Sequence, residues 1–283
     1  MKIFQSIGIA GIGLLGGSIA LAVKERRLAE RVYGFTRSSS TIEKALRVGA
    51  IDVPVESFSK FIEECEFVIL CAPIFTNIEM AGVISKTKPH LLFTDVGSTK
   101  KMIVETVENS FPPGHNFCGS HPMAGSEKRG IEFSDPSLFS GKTVIITPTR
   151  NSNSHAIETI KKFWQNLDAK VVEMEASIHD EICAYTSHFP HVIAFLLIEM
   201  LDNLADRQQV KECIGPGFKD TTRIAASDQE IWSEIFISNC ENIIGASRRF
   251  KKNLERIEDL IEKKDMESLK TWIEKAKKLR MEI

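Results

Sequence analysis

Apolar and polar positions follow two different periods along this chain. Up to about residue 175, short β-branched and apolar runs (Ile3 to Ile9, Arg31 to Phe35, Phe67 to Cys71, Leu91 to Thr94, Asn116 to Cys118, Thr143 to Ile146 and Val171 to Met174) alternate with amphipathic stretches. Strands that alternate with helices predict a mostly parallel sheet covered on its faces, an α/β architecture. After Ser177 the strands stop, and helical patterns follow, broken by one loop rich in Gly, Pro and Thr from about Gly215 to Asp228. Two domains are therefore expected, 1–175 and 176–283, the second all-α. Between Trp232 and Ile261, the residues Trp232, Phe236, Cys240, Ile243, Phe250, Leu254, Ile257 and Ile261 recur at steps of three, four or seven, which predicts one long helix with an apolar stripe. About thirty residues at 1.5 Å each make roughly 45 Å, more than a small helical domain needs. Burial of that stripe on a second subunit competes with packing inside the monomer. A last helix is expected from about Asp265 to Met281.

Composition narrows the partners. The formal charge is -2, from 36 basic and 38 acidic residues, which provides no broad basic face for nucleic acid and no polybasic membrane anchor. The apolar first twenty residues are broken by five glycines and never reach the roughly 18 uninterrupted residues of a membrane span. The six cysteines show no CxxC pair and no metal-ligand spacing, so reduced, buried thiols in a cytoplasmic protein are expected, with no metal. Small molecules remain as the expected ligands.

The segment Gly8-Ile9-Ala10-Gly11-Ile12-Gly13-Leu14-Leu15-Gly16 follows a predicted strand and opens a predicted helix, the setting a GxGxxG dinucleotide fingerprint requires. Gly11 serves the tight turn, Gly13 the approach of a pyrophosphate and Gly16 the packing of helix on strand, while the helix N-terminus, with Leu14 and Leu15, offers N–H groups to the phosphates. A doubly wound, Rossmann-type sheet is the fold expected. At the end of the second strand an NAD-selective site places an acid, but here stand Thr36, Arg37 and Ser38. Hydroxyls and a planar guanidinium suit a 2′-phosphate and favour NADP; an Arg37 that only stacks on adenine would leave NAD usable. Ala72, Pro73 and Ile74 close a further strand, where they line the nicotinamide ribose or form an ordinary strand exit.

His121 sits in Gly119-Ser120-His121-Pro122-Met123-Ala124-Gly125-Ser126-Glu127, between a strand and a glycine-rich loop, where a histidine is suited to taking a proton near neutral pH. This segment, with DVGSTK at 95–100, SHFPH at 187–191 and GFKDTTRIAASD at 217–228, resembles the prephenate and arogenate dehydrogenases of tyrosine biosynthesis, in matching order from first strand to last helix. The resemblance implies that His121 assists deprotonation of the substrate's ring hydroxyl, that Ser98 orients this histidine and contacts the same hydroxyl, and that Arg223 binds a substrate carboxylate. It also implies that His191 lines the substrate pocket, and that Ser126, Glu127, Asp180 and Trp232 lie near it, with Glu127 and Asp180 able to pair with Arg223. A homodimer through the C-terminal helices is expected from the apolar stripe. His188, three residues before His191, is either a second pocket residue or a buried core histidine.

The implied reaction is oxidative decarboxylation of prephenate with reduction of NAD(P), arogenate being the alternative substrate. The chain shows neither the regulatory C-terminal domain nor the fused chorismate mutase of some relatives, so tyrosine inhibition would have to act at the active site. A β-hydroxyacid dehydrogenase would need a helical catalytic lysine, for which no motif stands here. A catalytically silent NADP sensor would not need His121, Ser98 and Arg223 together.

Overall fold

The computed structural model describes residues 3–125, 128–202, 204 and 207–282. Strand β1 (Phe4–Ala10) leads into α1 (Leu14–Glu25), β2 (Ala29–Phe35), α2 (Ser39–Arg47), β3 (Val53–Pro54), α3 (Phe58–Glu64), β4 (Phe67–Leu70), α4 (Ile74–Thr87) and β5 (Leu92–Asp95). These strands form a parallel sheet in the order β3-β2-β1-β4-β5. The chain reverses its direction of winding beside β1, so a crevice opens at the carboxyl ends of β1 and β4, where ligands bind in such sheets. Ile7 and Ile9 of β1 are fully buried, as a central strand covered on both faces requires. One face packs on α1 and the other on α3 to α5, giving two apolar cores divided by the sheet.

After α5 (Lys101–Ser110) come β6 (Gly119–Pro122), β7 (Thr143–Thr147), α6 (Ser154–Asn166) and β8 (Lys170–Glu173), a three-stranded sheet in which β6 runs antiparallel to β7 and β8 parallel to it. One strand expectation needs correction, and one strand was not expected. Asn116 to Cys118 makes only a single bridge, Phe93 to Phe117, and the ladder lies instead on Gly119–Pro122, which has weak strand propensity. There β7 supplies the pairing partner, and tertiary context outweighs propensity. The short edge strand β3, ending in Pro54, carried no periodic signal.

The helical part runs through α7 (Ala176–Cys183), one π-helical stretch (Ala184–His188), α8 (Phe189–Asp202), α9 (Arg207–Cys213), α10 (Pro216–Thr222), α11 (Gln229–Ser238), α12 (Cys240–Glu262) and α13 (Met266–Met281). By length and composition alone Ala176–Asp202 could cross a membrane, yet it turns His179, Asp180 and His188 into the protein. The single helix expected over Trp232 to Ile261 is two, divided at Asn239 (φ -120, ψ 29). The Asn239 amide donates to the Asp180 carbonyl (2.7 Å) and to His188 Nδ1 (2.9 Å), bonds that hold it out of helical geometry. Ile243 and Ala246 pack on Ala184 and Phe189, whereas Phe250, Leu254 and Ile261 are exposed. All six cysteines are free thiols; Cys213 and Cys240 are exposed, against the expectation of burial.

Candidate active site

The glycine loop is held by close packing at two positions and left open at the third. Gly11 has φ +96, and a Cβ there would stand 2.6 Å from the Cys71 carbonyl carbon; a Cβ on Gly16 would stand 1.9 Å from the Gly11 oxygen. Over Gly13 nothing lies within 4 Å, which is room for a phosphate to approach the backbone. Gly13 caps α1 without a side-chain hydrogen bond, so the first N–H groups of the helix face that space. These features fit a dinucleotide. Gly17, not singled out from the sequence, is also packed, against Ser134 and Ile131.

Beside the loop, one pocket is lined by Gly11, Gly13, Thr36, Arg37, Ala72 and Pro73, together with Thr41, Lys44, Thr76 and Arg129. Arg37 is exposed and only 4.0 Å from Glu79, and Lys44 pairs with Glu132 at 3.2 Å. Ser38 caps α2, its hydroxyl accepting from Thr41 N (3.2 Å), and Ile74 is buried; neither lines this pocket. Sequence reasoning missed Lys44 and Arg129, which lie outside the fingerprint. It also missed Asn77, whose side chain accepts from Ala72 N (3.1 Å) and donates to the Leu70 carbonyl (3.3 Å), fixing the turn after β4.

A larger cleft of about 920 Å³ brings Gly13, Leu14 and Leu15 together with Ser98, His121, His191, Arg223 and Trp232. His121 lies within β6 itself and is only 9% exposed. Its strand is bolted down by neighbours: Ser120 Oγ bonds Thr94 Oγ1 (2.7 Å) and accepts from Trp164 Nε1 (3.0 Å), and the Ser120 carbonyl accepts from Lys100 Nζ (2.8 Å). Lys100 also forms a fully buried ion pair with Asp95. On the other side of the imidazole, His121 Nδ1 is 2.8 Å from His179 Nε2, and His179 Nδ1 is 2.7 Å from Asp180 Oδ1. Burial, reinforced by the His179 ring and the Lys100 ammonium, holds the pKa of His121 well below the usual histidine value, so the ring is neutral.

Two expectations change here. Ser98 shares the cleft with His121, but among the described residues the hydrogen bond that orients the ring comes from His179. Asp180 does not sit at the pocket mouth facing Arg223. It is 1% exposed, and its carboxylate accepts from the main-chain N–H groups of Lys100 (2.7 Å) and Lys101 (2.9 Å) at the start of α5. His179 was missed because its sequence neighbourhood carries no motif. His121, His179 and Cys183 place their ligand atoms within 4.8 Å of one another. Two nitrogens on a tetrahedral zinc ion would be about 3.3 Å apart, so the 2.8 Å between the histidines is a hydrogen-bond distance.

The opposite wall comes from the helical part. His191 stacks on Trp232 with ring centroids 3.4 Å apart, and its Nδ1 donates to the Ser187 carbonyl (2.9 Å). Burial, with Arg223 nearby, lowers its pKa and keeps it neutral, with Nε2 as an acceptor. Arg223 opens the 3-10 turn after α10 and is exposed to the cleft, which Lys128, Arg129 and Lys142 also line. Arg129 forms an ion pair with Asp228, whose carboxylate also caps α11 by accepting from Ile231 N (2.8 Å). His188 lies beneath this wall, 1% exposed, with its pKa lowered by burial to about 4. Ser126 and Glu127 lie outside the described residues.

A neutral buried imidazole, an open helix N-terminus and a cationic wall can together take a proton from an anionic substrate beside a bound dinucleotide. Comparison with known proteins leads to the same chemistry. The nucleotide-binding domain of prephenate dehydrogenase matches residues 19–173, and the dimerization domain of prephenate dehydrogenase matches residues 175–275. The chain is 35% identical to a prephenate dehydrogenase of Lactococcus lactis, over 98% of this chain and 77% of that one. It is 33% identical to that of Bacillus subtilis, over 98% of this chain and 75% of that one. A crystal structure of the A. aeolicus prephenate dehydrogenase, in complex with hydroxyphenyl propionate and NAD+, superposes with a TM-score of 0.91 at 34% identity and covers 98% of both chains. With both halves of the chain matched and the glycine loop, His121 and Arg223 gathered in one cleft, the chain belongs to the prephenate dehydrogenase family.

Proposed function

We propose that this chain converts prephenate to 4-hydroxyphenylpyruvate by oxidation and decarboxylation, as a step of tyrosine biosynthesis, with NADP as the preferred form of the nicotinamide cofactor. The observation that carries the proposal is the shared cleft, in which the neutral His121 faces the same space as the open start of α1 and the Arg223 guanidinium. When bound, the nicotinamide accepts the hydride that leaves the ring carbon bearing the hydroxyl. His121 takes the hydroxyl proton at the same time. Ser98 gives that hydroxyl a second polar contact, and Arg223 offers a planar pair of donors to a carboxylate. Stacked His191 and Trp232 wall the ring and fix its plane. Loss of the ring carboxylate as CO2 completes the aromatic product and makes the reaction effectively irreversible. The protein's own contribution is alignment and charge placement.

Prephenate suits the cleft better than arogenate. Lys128, Arg129, Lys142 and Arg223 line the cleft, where Asp228 is engaged with Arg129 and the Ile231 N–H. A substrate ammonium would add a cation to that wall. Thr36 and Arg37 just after β2, with Thr41 and Lys44 of α2, support the NADP preference. The exposed Phe250, Leu254, Ile261, Trp272 and Ile273 of α12 and α13 suit a homodimer buried on the helical unit 176–283, with 1–175 binding the dinucleotide. Six free thiols suit the cytoplasm.

The test is an initial-rate assay of nicotinamide reduction with prephenate or arogenate and NADP or NAD, in four combinations. Highest kcat/KM with prephenate and NADP is expected, and a clear preference for arogenate or NAD overturns that part of the assignment. His121→Asn is expected to lower kcat by roughly 10² to 10⁴ with unchanged cofactor affinity.

A further inference from the structure

We infer that His179 and Asp180 are positioning residues that fix the tautomer of His121 and stabilise the imidazolium it becomes. The inference rests on the reading of His121 as the base. Both Asp180 oxygens accept main-chain N–H bonds at the start of α5, where the helix field favours an anion. The remaining donor against Oδ1 is His179 Nδ1, at 2.7 Å. With its hydrogen on Nδ1, facing that carboxylate, the His179 imidazole presents Nε2 as an acceptor. Two groups meet that acceptor: His121 Nδ1 at 2.8 Å and the Cys183 thiol at 3.4 Å. It follows that His121 bears its hydrogen on Nδ1 and its lone pair on Nε2, the nitrogen left for the substrate hydroxyl. Sequence distance hid this chain of bonds, because His121 and His179 are 58 positions apart.

The chain also governs what happens after proton transfer. A buried imidazolium beside Lys100, His179 and His188 would be strongly disfavoured. Its Nδ1–H points through His179 toward the Asp180 carboxylate, so the new positive charge is met by Asp180 across two short hydrogen bonds. The Asn239 bond to the Asp180 carbonyl pins the helix that carries both residues. The arrangement uses the same logic as the carboxylate–histidine pair of serine proteases, with a second imidazole inserted between.

Three variants and one spectroscopic measurement test this, with His121→Asn as a reference. His179→Ala is expected to lower kcat by roughly 10² to 10³ at little change in KM. His179→Gln, whose amide oxygen can still accept from His121 Nδ1, is expected to restore about tenfold of that loss. Asp180→Asn removes the negative charge behind His179 and sets its amide N–H group against a main-chain N–H at the start of α5; a fall in kcat of roughly 10² to 10⁴ is expected, the upper end being the size seen for the equivalent change in a serine protease. In ¹⁵N spectra of the wild-type protein, His121 should show a protonated Nδ1 and an unprotonated Nε2. If His179→Ala keeps kcat within about threefold and the same pH profile while His121→Asn is inactive, the positioning role is refuted and the base assignment stands. Full activity in His121→Asn refutes the base assignment itself. Should His179→Ala fail to fold, the wild-type ¹⁵N pattern and His179→Gln decide: an Nε2-protonated His121 overturns the inference.

Discussion

Replacing Lys100 by Met exposes how the site is held from below. Lys100 and Asp95 are 0% and 1% exposed and pair directly. The ammonium also donates to the Ser120 carbonyl, while Asp95 accepts from Gly97 N (2.8 Å) and Ser120 N (3.3 Å). Methionine fills similar space, so the change removes charge and hydrogen bonds with little loss of packing. What remains is an uncompensated carboxylate in the interior, at a cost of about 3–5 kcal/mol. Against a total stability of about 5–15 kcal/mol, that is a large fraction. Guanidinium unfolding should show a lower midpoint at unchanged slope, and melting should drop by roughly 6–20 °C. Asp95→Asn combined with Lys100→Met removes the stranded charge and should recover at least about 1 kcal/mol. A loss below about 1 kcal/mol in Lys100→Met, or a double variant less stable than the single one, would refute the account of a desolvated pair. Because Ser120 precedes His121, turnover should fall in the single variant even where it remains folded.

Three further outcomes are expected. Gly16→Ala should destabilise or prevent folding, since its Cβ meets the Gly11 oxygen at 1.9 Å, whereas Gly13→Ala has free space, should fold normally and should raise the cofactor Kd by about tenfold or more; thermal melts and cofactor titration separate the two, and equal stability of both variants would contradict the packing described. Arg223→Gln should raise KM for prephenate at least about tenfold with a smaller effect on kcat, and an unchanged KM would remove the residue from carboxylate binding. Stability should decline on acidification from about pH 6.5: His188, held near 4 by burial, stays neutral in the fold while the unfolded chain takes up protons below the ordinary histidine pKa, so stability present above pH 6.5 is lost toward pH 4, by about 3 kcal/mol from this residue, and a denaturation midpoint flat over that interval would count against a buried neutral ring.

Local features of this protein were legible in its residues. The glycine loop needed only three positions and a strand before them, because a φ of +96 and a 1.9 Å approach leave no choice of side chain at Gly11 and Gly16. Arg223, His191 and Trp232 could be placed by motif, and the structure gathers all three with His121 in one cleft. Misplaced features share one character. Asp180 was expected near Arg223 and instead accepts from Lys100 N, 80 positions away. The apolar stripe after Trp232 gave no warning of the break at Asn239, whose amide answers to Asp180 and His188 on other helices. His121 was read as following a strand, yet it lies inside one, since β7 offers a pairing edge that Gly119-Ser120-His121-Pro122 would not seek by propensity.

The amino-acid order by itself determined the two-part α/β and helical plan and the glycine loop, and it offered the candidate imidazole and guanidinium, because periodicity, backbone freedom and side-chain chemistry act over a few residues. Only the tertiary structure decided which ring holds His121 and which carboxylate lies behind, because a hydrogen bond of 2.8 Å between residues 58 positions apart depends on how α7 packs beneath β6 and on nothing within either segment.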